Sequence, residues 1–236
     1  MFITYIRSLR VPLIALALVI SHVTLNSGSA AATEVIVLRS GNAPMGNADP
    51  FINMLVGSGG APLSPNPFTT GDFDLACYDT RAIVTQPYPA WLQELPCDPE
   101  AQWIGFDGLA TAASTLFCYT FEIETPCIEQ ANLSFCWAVD DYLGDALAGG
   151  PNPDGVYLNG VAVSPSIFGG NYATETQAPL TDVTSLVSTG ANRLEIYNRD
   201  NGFGVSGVIF SATIEVTACT VPAETSTWGD VKSLFR

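Results

Sequence analysis

The chain is nearly without positive charge: 8 Lys and Arg stand against 23 Asp and Glu, a net charge of -15 over 236 residues. Phosphate backbones and anionic lipid would both be repelled by such a surface, so nucleic acid and the membrane surface are excluded as partners. Histidine and lysine are scarcer still. The single histidine is His22 and the single lysine is Lys232, and both lie outside the span 33–219 that carries the fold signals. Within that span there is no Ser-His-Asp or Cys-His catalysis, no His-ligated zinc, no phosphate-loop lysine and no Schiff base. No two cysteines stand in C-x-x-C spacing, which removes the usual thiolate-metal and redox motifs. Only carboxylate chemistry is left.

Long apolar runs are missing too. The longest near the start, Val11 to Ile20, is about half of the roughly 20 residues needed to span a bilayer. Arg7 and Arg10 precede it and Ala30-Ala31-Ala32 follow it, the layout of a cleaved secretory leader over residues 1–32. Cleavage takes two cations and no acid, so the mature chain is more acidic still. A single domain is expected over 33–219, long enough for a core of its own, followed by a tail over 220–236. In the tail, Thr227 can cap a short helix carrying Trp228, Val231, Leu234 and Phe235, as a docking peptide or a frayed end.

Gly and Pro punctuate short β-branched and aromatic segments throughout, which predicts an all-β fold. LFCYTFEIE (116–124) alternates, with Phe117, Tyr119, Phe121 and Ile123 on one face and Cys118 on the other. NLSFCWAVDD groups Leu133, Phe135, Trp137 and Val139. In VYLNGVAV, Asn159-Gly160 predicts a type I′ hairpin, whose two central residues need positive φ. TDVTSLVSTGANRLEIYNRD offers a helical turn over 182–187, a stop at Gly190 and a strand in which Leu194 and Ile196 share a face. GVIFSATIEV (207–216) turns Val208, Phe210, Ala212, Ile214 and Val216 inward. TEVIVLRSG (33–41) is a first strand, AQWIGF (101–106) a short one, and 42–72 is expected to be loop because Pro and Gly clusters block long strands. Trp103 and Trp137 are assigned to the core.

In order, AQWIGF, CYTFEIE, WAVDD with its loop, VYLNGVAV, and the run from LTDVTS to ATIEV resemble the galactose-binding-domain-like jelly rolls of secreted bacterial surface proteins and glycoside hydrolases. The likeness covers residues 101–216, and nothing before residue 77 takes part. It implies an antiparallel two-sheet β-sandwich whose end loops often hold a sugar, though a fold alone does not confer its relatives' ligand. A sugar ring with one apolar face asks for an exposed aromatic with polar neighbours, and Tyr142, Tyr172, Asn198, Asp200 and Asn201 are the loop residues that qualify. Arg199 lies among them.

The densest acidic stretch is WAVDDYLGDALAGGPNPDGVYLNG, with Asp140, Asp141, Asp145 and Asp154. As ligands, Asp140, Asp141 and Asp145 would suit calcium, a hard cation taking roughly six to eight oxygens. As structure, they make a corner in which Asp140 or Asp141 accepts hydrogen bonds from the hairpin loop; the spacing matches no EF-hand. A glycosidase pair is disfavoured, because adjacent strand residues face opposite ways. The six cysteines behind a leader imply three disulfides. If the strands bearing Cys118 and Cys219 are neighbours, these two pair, leaving Cys77 with Cys97 and Cys127 with Cys136. The composite expectation is a secreted, non-catalytic, disulfide-reinforced module that binds a glycan or extracellular surface component without a cofactor. The alternatives are a structural or adhesive protein that binds another protein, and a carboxylate glycosidase.

Overall fold

The computed structural model describes residues 32–57, 68–147, 149–150, 152–201 and 204–220; residues 1–31 of the expected leader and 221–236 of the tail lie outside these. In chain order the elements are β1 (Thr33–Arg39), β2 (Ala48–Val56), α1 (Thr70–Ala76), β3 (Thr80–Val84), β4 (Ile104–Gly105), β5 (Thr115–Ile123), β6 (Ile128–Val139) and β7 (Tyr142–Leu143). There follow β8 (Val156–Leu158), β9 (Val161–Ala162), β10 (Thr176–Gln177), β11 (Thr181–Asp182), a 3₁₀ turn (Thr184–Leu186), β12 (Gly190–Arg199) and β13 (Val208–Ala218). The fold is mostly β, and every strand pair is antiparallel. One path of hydrogen-bonded neighbours runs β10-β6-β13-β4-β3-β2-β5-β12-β8-β9, with β1 on β13, β11 on β6 and β7 on β12.

The alternations in the sequence set the core. Val208, Phe210, Ala212, Ile214 and Val216 of β13 are all buried, as are Leu133, Phe135, Trp137 and Val139 of β6 and Leu194 and Ile196 of β12. They join Phe117, Phe121 and Ile123 of β5 in one cluster, so side chains from both ends of the strand path share a single interior. Trp103 is buried as expected, its indole N–H donating to the Leu92 carbonyl at 2.7 Å. Asn159 and Gly160 have φ of 54° and 77°, the two positive values of a type I′ turn, and a 3₁₀ turn falls within 182–187.

Two expectations fail. The region 42–72 holds a nine-residue strand, β2, despite Pro50. Pairing with β3 is interrupted between Ala48 and Asn53, and pairing with β5 begins at Ile52. Pro50 therefore sits where no ladder asks for its missing N–H. The same region contributes α1, whose Asp72 carboxylate accepts from the Thr69 backbone N–H at 2.7 Å in half of a capping box. Phe73 and Ala76 of α1 pack on Leu116, Cys118, Tyr157 and Tyr197. The face of β5 that carries Cys118 is thus covered near that residue, and Cys118 is buried.

The disulfides are Cys77–Cys118, Cys97–Cys136 and Cys127–Cys219, so the expected pairing is wrong at all three bonds. Its premise was that β5 and β13 are neighbours. Instead β5 lies between β2 and β12, while β13 borders β6, β1 and β4. Cys118 consequently meets Cys77 at the end of α1. Cys219 meets Cys127 in the turn before β6, where the Cys219 N–H also donates to the Cys127 carbonyl at 3.0 Å.

Candidate functional site

β6 ends at Val139, and the acidic stretch begins as the chain leaves the sheet. Asp141 has φ of 66°, a left-handed conformation that Asp tolerates better than most residues. Asp140 and Asp141 are therefore not successive strand residues, and the opposite-face geometry expected of them does not apply. They diverge all the same. Asp140 accepts from the indole of Trp91, and its carboxyl is pushed up to about 6, first by burial and then by the charge of Asp141. Asp141 Oδ2 accepts from the backbone N–H of Asn201 at 2.6 Å. The corner is real, but its donor comes from the β12–β13 connection and not from the hairpin.

Asp145 behaves differently. It is fully buried, and its Oδ1 takes a guanidinium N–H of Arg199 at 2.5 Å and the hydroxyl of Tyr197 at 2.9 Å. Its Oδ2 accepts from the Asn152 backbone at 3.2 Å. Gly150 seals the cover, since a Cβ there would lie 2.3 Å from the carboxylate. Asp154 accepts from the Ser166 hydroxyl. Among the described residues the sole grouping of three His, Cys, Asp or Glu ligand atoms is Cys97, Cys136 and Glu175, and its two sulfurs are joined to each other. Asp140, Asp141 and Asp145 do not converge on one point.

The sugar-contact residues fare unevenly. Asn198 and Asp200 are buried: the Asn198 amide donates to Ser206 Oγ at 2.9 Å, and the Asp200 backbone N–H to Ser114 Oγ at 3.0 Å. Neither reaches a ligand from outside, because β12 runs as strand to Arg199 where a loop was expected. Asn201 is exposed. Tyr142 and Tyr172 share one open depression of about 220 Å³, which they line with Asp141, Gly170 and Asn171.

That arrangement has a local cause. Leu143 of β7 exchanges backbone hydrogen bonds with Gly169 at 3.0 and 2.8 Å, bringing the 169–172 loop beside Tyr142. Gly170, at φ 108°, passes so close to Trp137 that a Cβ would lie 2.4 Å from its indole nitrogen. The same indole donates to the Gly169 carbonyl at 3.1 Å. The Asn171 and Tyr172 carbonyls accept from Val139 and Leu92 at 3.1 and 2.7 Å. Tyr172, 42% exposed, is thus presented by a fixed backbone. The Asn171 side chain is engaged by Ala173 and Thr174, so Asn171 shapes the rim. Gly170 was missed by sequence reading; its signal is the Gly169-Gly170 pair two residues before an isolated Tyr.

The outer side of β13 carries a larger groove, about 520 Å³, lined by residues including Val37, Arg39, Asp98 and Glu100. Its one cation is occupied: Arg39 pairs with Asp98 at 3.0 Å and with Glu100. No helix among the described residues is long and apolar enough to cross a membrane. Comparison of the chain with protein-family models and with curated proteins found no match.

Proposed function

We propose that the protein is a secreted, non-catalytic module that binds a neutral glycan weakly at the depression between Tyr142 and Tyr172, on a two-sheet jelly roll of galactose-binding-like type. The observation that carries this is the convergence of two aromatic side chains, 30 residues apart in sequence, beside the Asp141 carboxylate. A ring face can stack on a tyrosine while a hydroxyl donates to the carboxylate. The shared interior of β5, β6, β12 and β13 supports the two-sheet reading. Three disulfides suit an oxidising compartment. The volume falls below the roughly 300–1,000 Å³ of pockets that enclose drug-sized ligands, which favours contact with one ring. Calcium has no part in this reading.

Binding to an array of neutral glycans, with Tyr142→Ala and Tyr172→Ala as controls, tests it, and reducing-sugar release is measured on the same samples. Binding lost in both variants without turnover supports the module. Turnover abolished in an acidic-residue variant would establish the glycosidase instead. The structural or adhesive alternative draws on a separate observation, the edge of β1 that no strand among the described residues covers, and gains if no glycan binds.

A further inference from the structure

Every residue of β1 is matched to β13, and among the described residues no strand pairs with its other side. The direction of its free groups follows from the ladder. Ser40 N–H donates to the Phe210 carbonyl at 3.1 Å, and Ala218 N–H to the Ala32 carbonyl at 2.9 Å. Even-numbered residues therefore bond to β13, and the backbone N–H and C=O of Thr33, Val35 and Val37 point away from it. The side chains of these three residues are exposed, Val35 by 58% and Val37 by 47%.

Edge strands are usually guarded by Pro, Lys, a bulge or an inward charge. TEVIVLR holds no Pro, Gly or Lys, and the β1–β13 register is unbroken. Its one acid, Glu34, is occupied by the backbone N–H groups of Glu124 and Thr125 at 3.1 and 3.0 Å. Arg39 is held by Asp98 and Glu100, while the centre of the strand, Val35, Ile36 and Val37, carries no charge in a chain of net charge -15. Two copies can approach along that uncharged centre.

We infer that β1 pairs with β1 of a second copy, antiparallel and about a two-fold axis at Ile36. In that register Val35 faces Val37 of the other copy, Val37 faces Val35, and Thr33 and Arg39 face each other. All of these are odd-numbered residues; the free N–H and C=O groups of Val35 and Val37 then exchange hydrogen bonds, while the Arg39 carbonyl already accepts from the Asn42 side-chain amide at 2.8 Å. The two pairs of valines gather on the outer face, and Ile36 meets its own equivalent in a non-hydrogen-bonded pair. Such a contact is isologous, as a closed dimer requires, and joins the two sheets into one. It is independent of any glycan at Tyr142 and Tyr172.

Sedimentation velocity of the whole chain over about a hundredfold concentration range tests this, since a reversible dimer dissociates on dilution. A dimer is expected, and Val37→Pro should abolish it at every concentration, because that N–H serves only the second copy. Circular dichroism checks the fold of the variant. If it does not fold, Val35→Lys with Val37→Lys leaves the β13 ladder intact and should also give monomer. The register is read by cross-linking. Facing Cα atoms in such a pair lie about 4.5 Å apart, within the roughly 4.4–6.8 Å a disulfide spans, so Ile36→Cys should oxidise to a linked dimer and Val35→Cys should not. A monomer throughout, a dimer that survives the β1 variants, or linking through position 35 instead of 36 would overturn the proposal.

Discussion

Asp141 and Asp145 lie four residues apart and have opposite fates. Asp145 is closed under Gly150 and held by Arg199, Tyr197 and Asn152. Asp141 stands at the rim of an open depression with a backbone N–H from Asn201. Residue type does not separate them; what the neighbouring chain supplies does. The β12 strand brings an arginine to Asp145, and the loop after Gly169 brings a tyrosine to Asp141. An acidic cluster in a sequence is therefore two different objects in space, one that fixes the fold and one that faces solvent.

The sharpest way to break this contrast is to remove the cation. Arg199→Met leaves the Asp145 charge buried without its main partner and should cost about 3–5 kcal/mol, measured by urea unfolding. A loss below about 1 kcal/mol would mean that Asp145 is not held as described.

A second buried acid sharpens the comparison, because it is less well paired. Glu195 is fully buried in the sheet. Gly160 N–H donates to it at 3.2 Å, and Arg193 lies 3.2 Å away while also bonding Asp74. Burial pushes its carboxyl up to about 7, and the Gly160 N–H and Arg193 only partly oppose this. Between the ordinary value of 4.5 and about 7 the folded chain keeps a proton that the unfolded chain releases. Stability should accordingly fall as pH rises through that window, by about 3 kcal/mol at most. Asp140, pushed up to about 6, adds to the same slope. Urea unfolding at pH 5 and pH 8 should show the fall, and Glu195→Gln should flatten much of it; an unchanged slope in that variant would assign the effect elsewhere.

On the open side the effects are smaller. Asp141→Ala loses one charge-assisted hydrogen bond and puts a Cβ-bearing residue without a polar side chain at φ 66°, for about 1–2 kcal/mol. Asp141→Asn, which keeps an acceptor and tolerates that φ, should recover most of it in the same assay. Smallest of all is calcium: millimolar calcium against excess chelator should leave the thermal midpoint unchanged, because the acids of this stretch do not converge. A rise of many degrees would make Asp141 a ligand.

The sequence shows best what depends on a residue's own neighbours. The faces of β5, β6, β12 and β13 and the Asn159-Gly160 turn follow from alternation and local φ preference. The disulfides do not, since they depend on sheet order, and β5 is flanked by two strands far from it in the chain. β2 hides because the pairing gap that tolerates Pro50 is set by β3 and β5. α1 hides because seven residues carry little periodicity, and without it Cys118 looks outward-facing. In the site, Tyr142 and Tyr172 stand out as isolated aromatics in polar loops. The burial of Asn198 and Asp200 does not, because it depends on how far β12 extends and on Ser114 and Ser206 arriving from elsewhere.

The bond from Ala218 to the Ala32 carbonyl places the first and last described strands end to start. The Cys127–Cys219 bridge anchors that same pole. Asp140, bonded through its N–H to Gly207, and the depression beyond it lie where β13 begins. Eleven strand residues separate the two poles, about 35 Å at roughly 3.3 Å per residue. The described span therefore begins and ends at one pole, and a pull applied through Ala32 or Ala218 would enter the molecule about one strand length from the depression.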